Sequence, residues 1–213
     1  AYLIEEPMAA AIGAKLPIQE SSGSFICDIG GGTTEIAVLA LGGIVVNRSI
    51  RTAGDEMDDA IVTFIRVKYG ILIGEPTAEN IKIAVGSAYP VGKGDRQAVV
   101  RGRDIETGLP RSIRVSESEI REALAPIIQE IIEAISETME ETPPELVGDI
   151  LEHGIVLAGG GSLIRGIDKL IATETKMPVW ITDDPQTAVV RGCGKLLDDA
   201  ELLRHVKVAQ RKV

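Results

Sequence analysis

The 213 residues suffice for one large domain or two small lobes. Hydrophobic residues make up 45% and aromatics 3%, so any core is built from Ile, Val, Leu and Ala. A net charge of −10 argues against a nucleic-acid backbone as main partner, which needs clustered Lys and Arg, but leaves a single nucleotide open, because backbone N–H groups and a metal ion can hold one.

Tyr2-Leu3-Ile4-Glu5-Glu6-Pro7 opens in mid-element, the end of a strand running into a helix with no starting Met, and reads as the cut edge of a longer protein. Small residues over 8–16 predict a helix, with Pro7 suited to its first turn. Ser21-Ser22-Gly23-Ser24 predicts a loop, and Phe25 to Ile29 a buried strand. Gly30-Gly31-Gly32-Thr33-Thr34 is then a tight turn, Glu35 to Leu41 a second strand, Gly42-Gly43 a hairpin signal, and Ile44 to Ile50 a third strand.

Helical periodicity follows. Ile61, Phe64, Ile65 and Lys68 lie on a helix that starts near Gly54-Asp55-Glu56, and another helix runs from Thr77 to about Ala88. Residues 90–115 switch to short strands: Val99-Val100 and Ile113 to Val115 flank the turn-rich stretch 106–110. Ser116-Glu117-Ser118-Glu119 is a capping box opening a long helix. Its apolar side carries Ile120, Leu124, Ile127, Ile128, Ile131, Ile132 and Ile135, and Pro126 is a point where it can bend. Thr142-Pro143-Pro144 ends that helix and starts another, which stops near Gly154. A short buried strand (155–158), a glycine turn, a helix over 163–175, a strand over 179–181 and a last substantial helix over 185–198 complete a mixed α/β order.

Cys27 and Cys193 read as small buried hydrophobes, with no metal or disulfide spacing. His153 and His205 read as isolated surface or helix-end residues. No apolar run approaches the ~18–20 residues of a membrane span, and no signal peptide is present, so a cytoplasmic chain is the expectation.

Two glycine turns carry the chemistry. In Asp28-Ile29-Gly30-Gly31-Gly32-Thr33-Thr34-Glu35 a strand delivers an acid and then three glycines, which let backbone N–H groups face a polyphosphate, by close approach and by positive φ. Asp28 cannot bind phosphate itself but suits a Mg²⁺ or its bound water, while Thr33 and Thr34 add hydroxyl donors. A plain glycine-rich hairpin turn competes with this reading. In Ile155-Val156-Leu157-Ala158-Gly159-Gly160-Gly161-Ser162-Leu163-Ile164-Arg165-Gly166 a buried strand again feeds a glycine triplet, here opening a helix whose N-terminus favours an anion or a flat nucleoside face.

The pair of turns, separated by an α/β insertion and preceded by Glu6-Pro7, resembles the superfamily of actin, sugar kinases and heat-shock chaperone ATPases. Within it, the stretches 5–14, 53–58 (Ala-Gly-Asp-Glu-Met-Asp), 74–82 (Gly-Glu-Pro-Thr-Ala-Glu-Asn-Ile-Lys), 142–146 and 159–166 resemble the MreB family of bacterial actin-like filament proteins. A chaperone-type ATPase, a plasmid-segregation filament protein and a sugar kinase are the alternatives.

That resemblance implies an actin-like (ribonuclease H-like) α/β fold, a mixed sheet flanked by helices with a smaller α/β lobe inserted. It implies a first-domain remnant over 1–18, a larger lobe over 19–52 and 118–190, the inserted lobe over 53–117, and a segment over 191–213 returning to the first domain. Gly13, Gly192 and Gly194 fall near the implied hinge crossings.

By the same resemblance the ligand is ATP or ADP with Mg²⁺. Asp28 would hold the metal through water. Gly30, Gly31, Gly32, Thr33 and Thr34 would hold the β- and γ-phosphates. Glu79, with Asn80 and Lys82 nearby, would take the ribose, and Gly159, Gly160, Gly161, Ser162 and Leu163 would line the nucleoside. Glu6 would orient the attacking water, helped by Thr33. Without the resemblance, Glu79 and Lys82 read as a solvated i, i+3 pair.

The implied function is a filament protein that polymerises under the membrane and organises cell-wall synthesis to keep cells rod-shaped. Its partners would be further copies of itself in paired protofilaments, a RodZ-type membrane adaptor and the cell-wall elongation machinery, with no nucleic acid. The implied location is the inner face of the membrane, contacted only through the missing first domain. The phosphate 1 loop belongs to that domain, so ATP hydrolysis is expected of the full-length parent and not of this piece alone. The competing class is a binding module for adaptor or filament contacts without chemistry. Lys93, Arg96, Arg101, Arg103, Arg111 and Arg114 form a local basic bias, read as a charged rim or a subunit contact.

Overall fold

A computed structural model of the chain describes residues 1–208, so positions 209–213 of the expected C-terminal segment lie outside the described residues. The elements are α1 (Glu6–Gly13), β1 (Ser24–Ile29), β2 (Thr34–Ala40), β3 (Gly43–Ile50), α2 (Gly54–Tyr69), β4 (Ile71–Leu72), α3 (Glu75–Val85), β5 (Gln97–Asp104), β6 (Pro110–Ser116), α4 (Glu117–Glu141), α5 (Pro144–His153), β7 (Ile155–Ala158), α6 (Ile167–Thr175), β8 (Val179–Ile181), α7 (Ala188–Asp198) and α8 (Ala200–Val206).

Five strands form one sheet in the order β3-β2-β1-β7-β8. The β1, β2 and β3 neighbours are antiparallel, while β7 runs parallel to both β1 and β8. Every residue of β1 is buried, because helices cover both faces of the sheet. Period-2 alternation splits the strand. Phe25, Cys27 and Ile29 join the core shared with α2, α4 and α6, whereas Ile26 joins Met8, Ala11 and Ile12 of α1 and Ala188 and Leu196 of α7. Asp28 falls in phase with Ile26 and so emerges on the α1 side. A second sheet, β4-β5-β6, is antiparallel, and its buried residues Ile71, Val100 and Val115 belong to the same core as Ile61 and Ile65 of α2 and Ile81 of α3.

α1 and α7 touch backbone to backbone. A Cβ on Gly13 would overlap the carbonyl of Ala188, and one on Gly192 would overlap that of Ala9. Gly194, by contrast, faces open space. The capping box that opens α4 is present. Ser116 Oγ accepts from the Glu119 N–H at 3.3 Å, and the Ser116 N–H donates to Glu119 Oε2 at 2.8 Å. α4 then runs through Pro126 to Glu141.

Several local expectations are corrected. The second glycine turn forms a 3-10 turn (Gly160–Leu163), and the α-helix behind it begins only at Ile167, because Gly166 at φ 78 breaks the path between them. The last long helix likewise starts with a 3-10 turn over Pro185–Thr187. β4, two residues long, and α8 lacked a readable period. Cys27 is buried as expected, but Cys193 is exposed on the outer side of α7. No described helix is long and apolar enough to cross a membrane.

Candidate functional site: a cleft between two glycine turns

Register places the site. Asp28 of β1 pairs with Ala158 of the adjacent parallel strand β7, so both strands end at the same level and both glycine turns leave the sheet side by side. They leave where β1 changes from a parallel to an antiparallel neighbour, the kind of strand-end crevice in which open α/β sheets hold ligands. The cleft there has a volume of about 1140 Å³. Glu6, Asp28, Gly30, Gly31, Glu79, Lys82, Gly159, Gly160, Gly161 and Leu163 line it, ten of the residues singled out from sequence.

The two turns are built differently. None of Gly30, Gly31 and Gly32 adopts positive φ, contrary to one reason given for them. What they supply is the absence of side chains. α2 begins directly against the turn: Gly54 N–H donates to the Gly30 carbonyl at 3.1 Å and Asp55 N–H to the Gly31 carbonyl at 2.8 Å. Those bonds consume carbonyls and leave the N–H groups of Gly31 and Gly32 without a protein acceptor among the described residues. In the second turn, Gly159 does sit at φ 79. A Cβ there would overlap the Ile29 carbonyl and Asp28 Oδ1, and one on Gly161 would overlap the Ile29 side chain. At Gly159 and Gly161 the second turn fits against the end of β1 only as glycine.

Asp28 is 5% exposed and makes no ion pair among the described residues. Burial, and after it the charges of Glu6 and Glu35, push its carboxyl up to about 6. A buried acid facing like charges at a cleft floor suits a cation supplied from outside, and Asp28 is the residue that would hold a divalent ion. Glu6, first residue of α1, is exposed at the rim of the same cleft.

Lys82 is not paired with Glu79. Its Nζ donates to Asp58 Oδ2 at 2.7 Å and to the Gly54 carbonyl at 2.8 Å, tying α3 to α2. Asp58 keeps a carboxyl raised above the ordinary range: burial outweighs the Lys82 hydrogen bond and charge, and Glu79 and Asp55 add to the rise. Its second oxygen, Oδ1, is buried without a partner. Glu79 is exposed and lines the cleft.

Three expected side-chain contributions are not available. Thr34 Oγ1 is fully buried and donates to the Thr52 carbonyl at 2.7 Å. Ser162 Oγ is buried and donates to the Gly159 carbonyl at 2.7 Å, so it shapes the turn. Asn80 Nδ2 turns back to the Pro76 carbonyl at 2.7 Å. Thr33 and Gly32 belong to the first turn but do not line the cleft.

Other lining residues carried no expected site role. Asp55, Asp58, Gln186, Arg96 and Arg165 all face the cleft. Arg96, read as part of a basic rim, is instead committed to Glu117, whose side chain is 3% exposed: Nε donates to Oε2 at 2.6 Å. Arg121 and Arg165 reach the same carboxylate at 3.3 and 3.4 Å. Burial would raise the Glu117 carboxyl, but the Arg96 and Ser87 hydrogen bonds and the Arg96 and Arg165 charges hold it below the usual range. This knot joins the start of α4, the stretch before β5 and the turn before α6 at one end of the cleft.

A five-stranded mixed sheet covered by helices on both faces, with two glycine turns meeting across a cleft, is an actin-like fold, and solved structures of that class superpose on it. The crystal structures of MreB5 of Spiroplasma citri bound to ADP and bound to AMPPNP each match with a TM-score of 0.89 at 41% identity, over 92% of this chain and 59% of theirs. The MamK double helical filament matches at TM-score 0.72 and 25% identity, over 92% of this chain and 59% of that one. The sequence profile of the MreB/Mbl protein family matches residues 1–205, and the chain belongs to that family. It is 51% identical over 197 residues to the cell shape-determining protein MreB of Escherichia coli strain K12, covering 92% of this chain and 56% of that relative. The chain thus spans little more than half the length of that relative.

Proposed function

We propose that this chain supplies one phosphate-binding side and the ribose and adenosine sides of the nucleotide cleft of a cytoskeletal, actin-like filament protein. The observation that carries it is the meeting of the first glycine turn, through Asp28, Gly30 and Gly31, with the Gly159–Gly161 turn across one cleft, with a free N–H group at Gly31 and a metal-suited acid at Asp28. The neighbours solved with ADP and AMPPNP support a nucleotide as occupant. When bound, Mg²⁺ would neutralise phosphate charge. Asp28 would hold it through water, Gly31 would donate to phosphate oxygens, Glu79 would accept from the ribose, and Gly159, Gly160 and Leu163 would border the nucleoside.

Hydrolysis belongs in this proposal to the full-length parent, with Glu6 orienting the attacking water. By family membership the protein would polymerise beneath the membrane, at its inner face, with a RodZ-type adaptor and cell-wall elongation enzymes as partners. By the same membership it would divide into a larger lobe (19–52 and 118–190), an inserted lobe (53–117) and flanking hinge segments.

Isothermal titration of ATP–Mg²⁺ into the chain tests the central reading. Binding weaker than micromolar is expected, lost on Asp28→Asn and on Gly159→Ala. Sub-micromolar binding would show that the grip does not need a second jaw, and weak binding untouched by both substitutions would place the nucleotide elsewhere.

A further inference from the structure

A second concavity lies outside the nucleotide cleft. It is a groove of about 840 Å³ between α2 and α4. The two helices run antiparallel. Lys68 near the end of α2 meets Glu119 near the start of α4 at 2.9 Å, and Thr52 just before α2 meets Glu130 further along α4 at 2.8 Å. Between them Ala60, Phe64 and Val67 face Ala123, Pro126 and Ile127, giving an apolar floor. Phe64 is one of two phenylalanines in the chain, and unlike Phe25 it is only partly buried. Val67 is 80% exposed.

The rim is acidic. Glu56, Asp59 and Glu122 border the groove against a single cation, Lys68. That cation is already used, since its Nζ pairs with Glu119 and lies 4.9 Å from the Phe64 ring centre. Glu56 caps α2 by accepting from the Ala53 N–H at 3.0 Å. Asp59 on one wall and Glu122 on the other make no ion pair or hydrogen bond among the described residues. An apolar floor between two unpaired carboxylates calls for an apolar stripe flanked by cations on both sides.

We infer that this groove receives an amphipathic helix of a partner protein, with a narrow aliphatic face and Lys or Arg on both flanks. Groove length and backbone chemistry favour a helix. Glu56 to Lys68 spans about 18 Å of α2, roughly three turns of a docked helix. A helix satisfies its own backbone over an apolar floor, whereas a strand would need a sheet edge, and no strand lines this groove.

Fluorescence anisotropy tests this with a labelled peptide of about 18 residues, Leu at i, i+3, i+4, i+7 spacing and Lys on both flanks. Controls carry Glu in place of Lys, or the same residues scrambled. Saturable binding of the Lys peptide is expected, at least about tenfold tighter than either control. Val67→Glu, at a site too exposed to affect folding, and Asp59→Lys with Glu122→Lys should each weaken it about tenfold, with unchanged melting curves. Equal binding of the Glu or scrambled peptide, or binding indifferent to these substitutions, overturns the inference. So does sedimentation showing self-association that Val67→Glu abolishes, which would make a second copy of the chain the occupant. Retention on anionic vesicles lost with the same substitution would instead assign the groove to a membrane.

Discussion

Asp28 Oδ1 occupies the space that a Cβ on Gly159 would need. The acid of the first turn and the first glycine of the second are therefore one packing unit, although they are far apart in sequence. Gly159→Ala both clashes with that carboxylate and forces a side chain onto φ 79. A loss of roughly 1–3 kcal/mol is expected. Chemical denaturation measures it, and a nucleotide titration should show the cleft impaired more than the stability loss alone would explain. A variant as stable as the parent that still binds ATP would mean that the turns can separate.

Asp28 also gives the fold a pH dependence of definite sign. Its folded-state carboxyl stands at about 6, above the ordinary 3.8, so the native state holds the proton more tightly than the unfolded chain. Below the ordinary value Asp28 costs nothing. Between there and about 6 its opposition to folding grows, and above that it is complete, roughly 3 kcal/mol. Asp28→Asn should raise the melting temperature at neutral pH and flatten the fall in stability across that window, while abolishing metal-dependent nucleotide binding. An unchanged pH slope would sink the account.

Lys82→Met should leave Asp58 buried with no cation and push its carboxyl further up. The expected cost at neutral pH is about 3 kcal/mol, relieved as the pH falls and Asp58 takes up a proton. Asp58→Asn in the same chain should recover most of it. Strict additivity in the double-mutant cycle would show that the 2.7 Å contact carries no coupling.

Glu117→Gln should loosen the knot at the end of the cleft. Three guanidiniums would lose their shared anion, at a cost of about 3 kcal/mol, because Arg96 and Arg165 keep only carbonyl partners. Hydrogen exchange should rise first over residues 87–97 and 164–166. A uniform increase across the chain would indicate global destabilisation and not a local joint.

On the proposed function, Glu6→Ala placed in a protein that carries both sides of the cleft should slow ATP hydrolysis while leaving nucleotide affinity within about twofold. Equal loss of both would remove Glu6 from the role of orienting water.

Strands, caps and glycine turns were legible because each is written in neighbouring residues. Phe25 to Ile29, the Ser116 capping box and the Gly159 triplet all announce themselves within a few positions. Side-chain commitments were not. Lys82 and Glu79 stand one helical turn apart and read as a pair, yet the ammonium goes to Asp58, 24 residues away on another helix. Arg96 looked like a rim charge because Glu117, its partner, was visible only as the first residue of a helix. Thr34 and Ser162 looked like ligand donors because nothing local shows that their hydroxyls already serve the carbonyls of Thr52 and Gly159. Gly30 to Gly32 form the expected turn without positive φ, and a Cβ at Gly31 or Gly32 would meet only Asp55 at 3.6 Å, so the local pattern named the turn but not its backbone angles.

The backbone contact at Gly13 and Gly192 joins helices that leave the ribosome at very different times. Without α7 the α1 side of the large sheet lacks the cover of Ala188 and Leu196, and Ile26, Leu39 and Ile12 lose part of their burial. A chain cut before α7 would therefore expose an aliphatic surface prone to association and would not form a smaller folded unit.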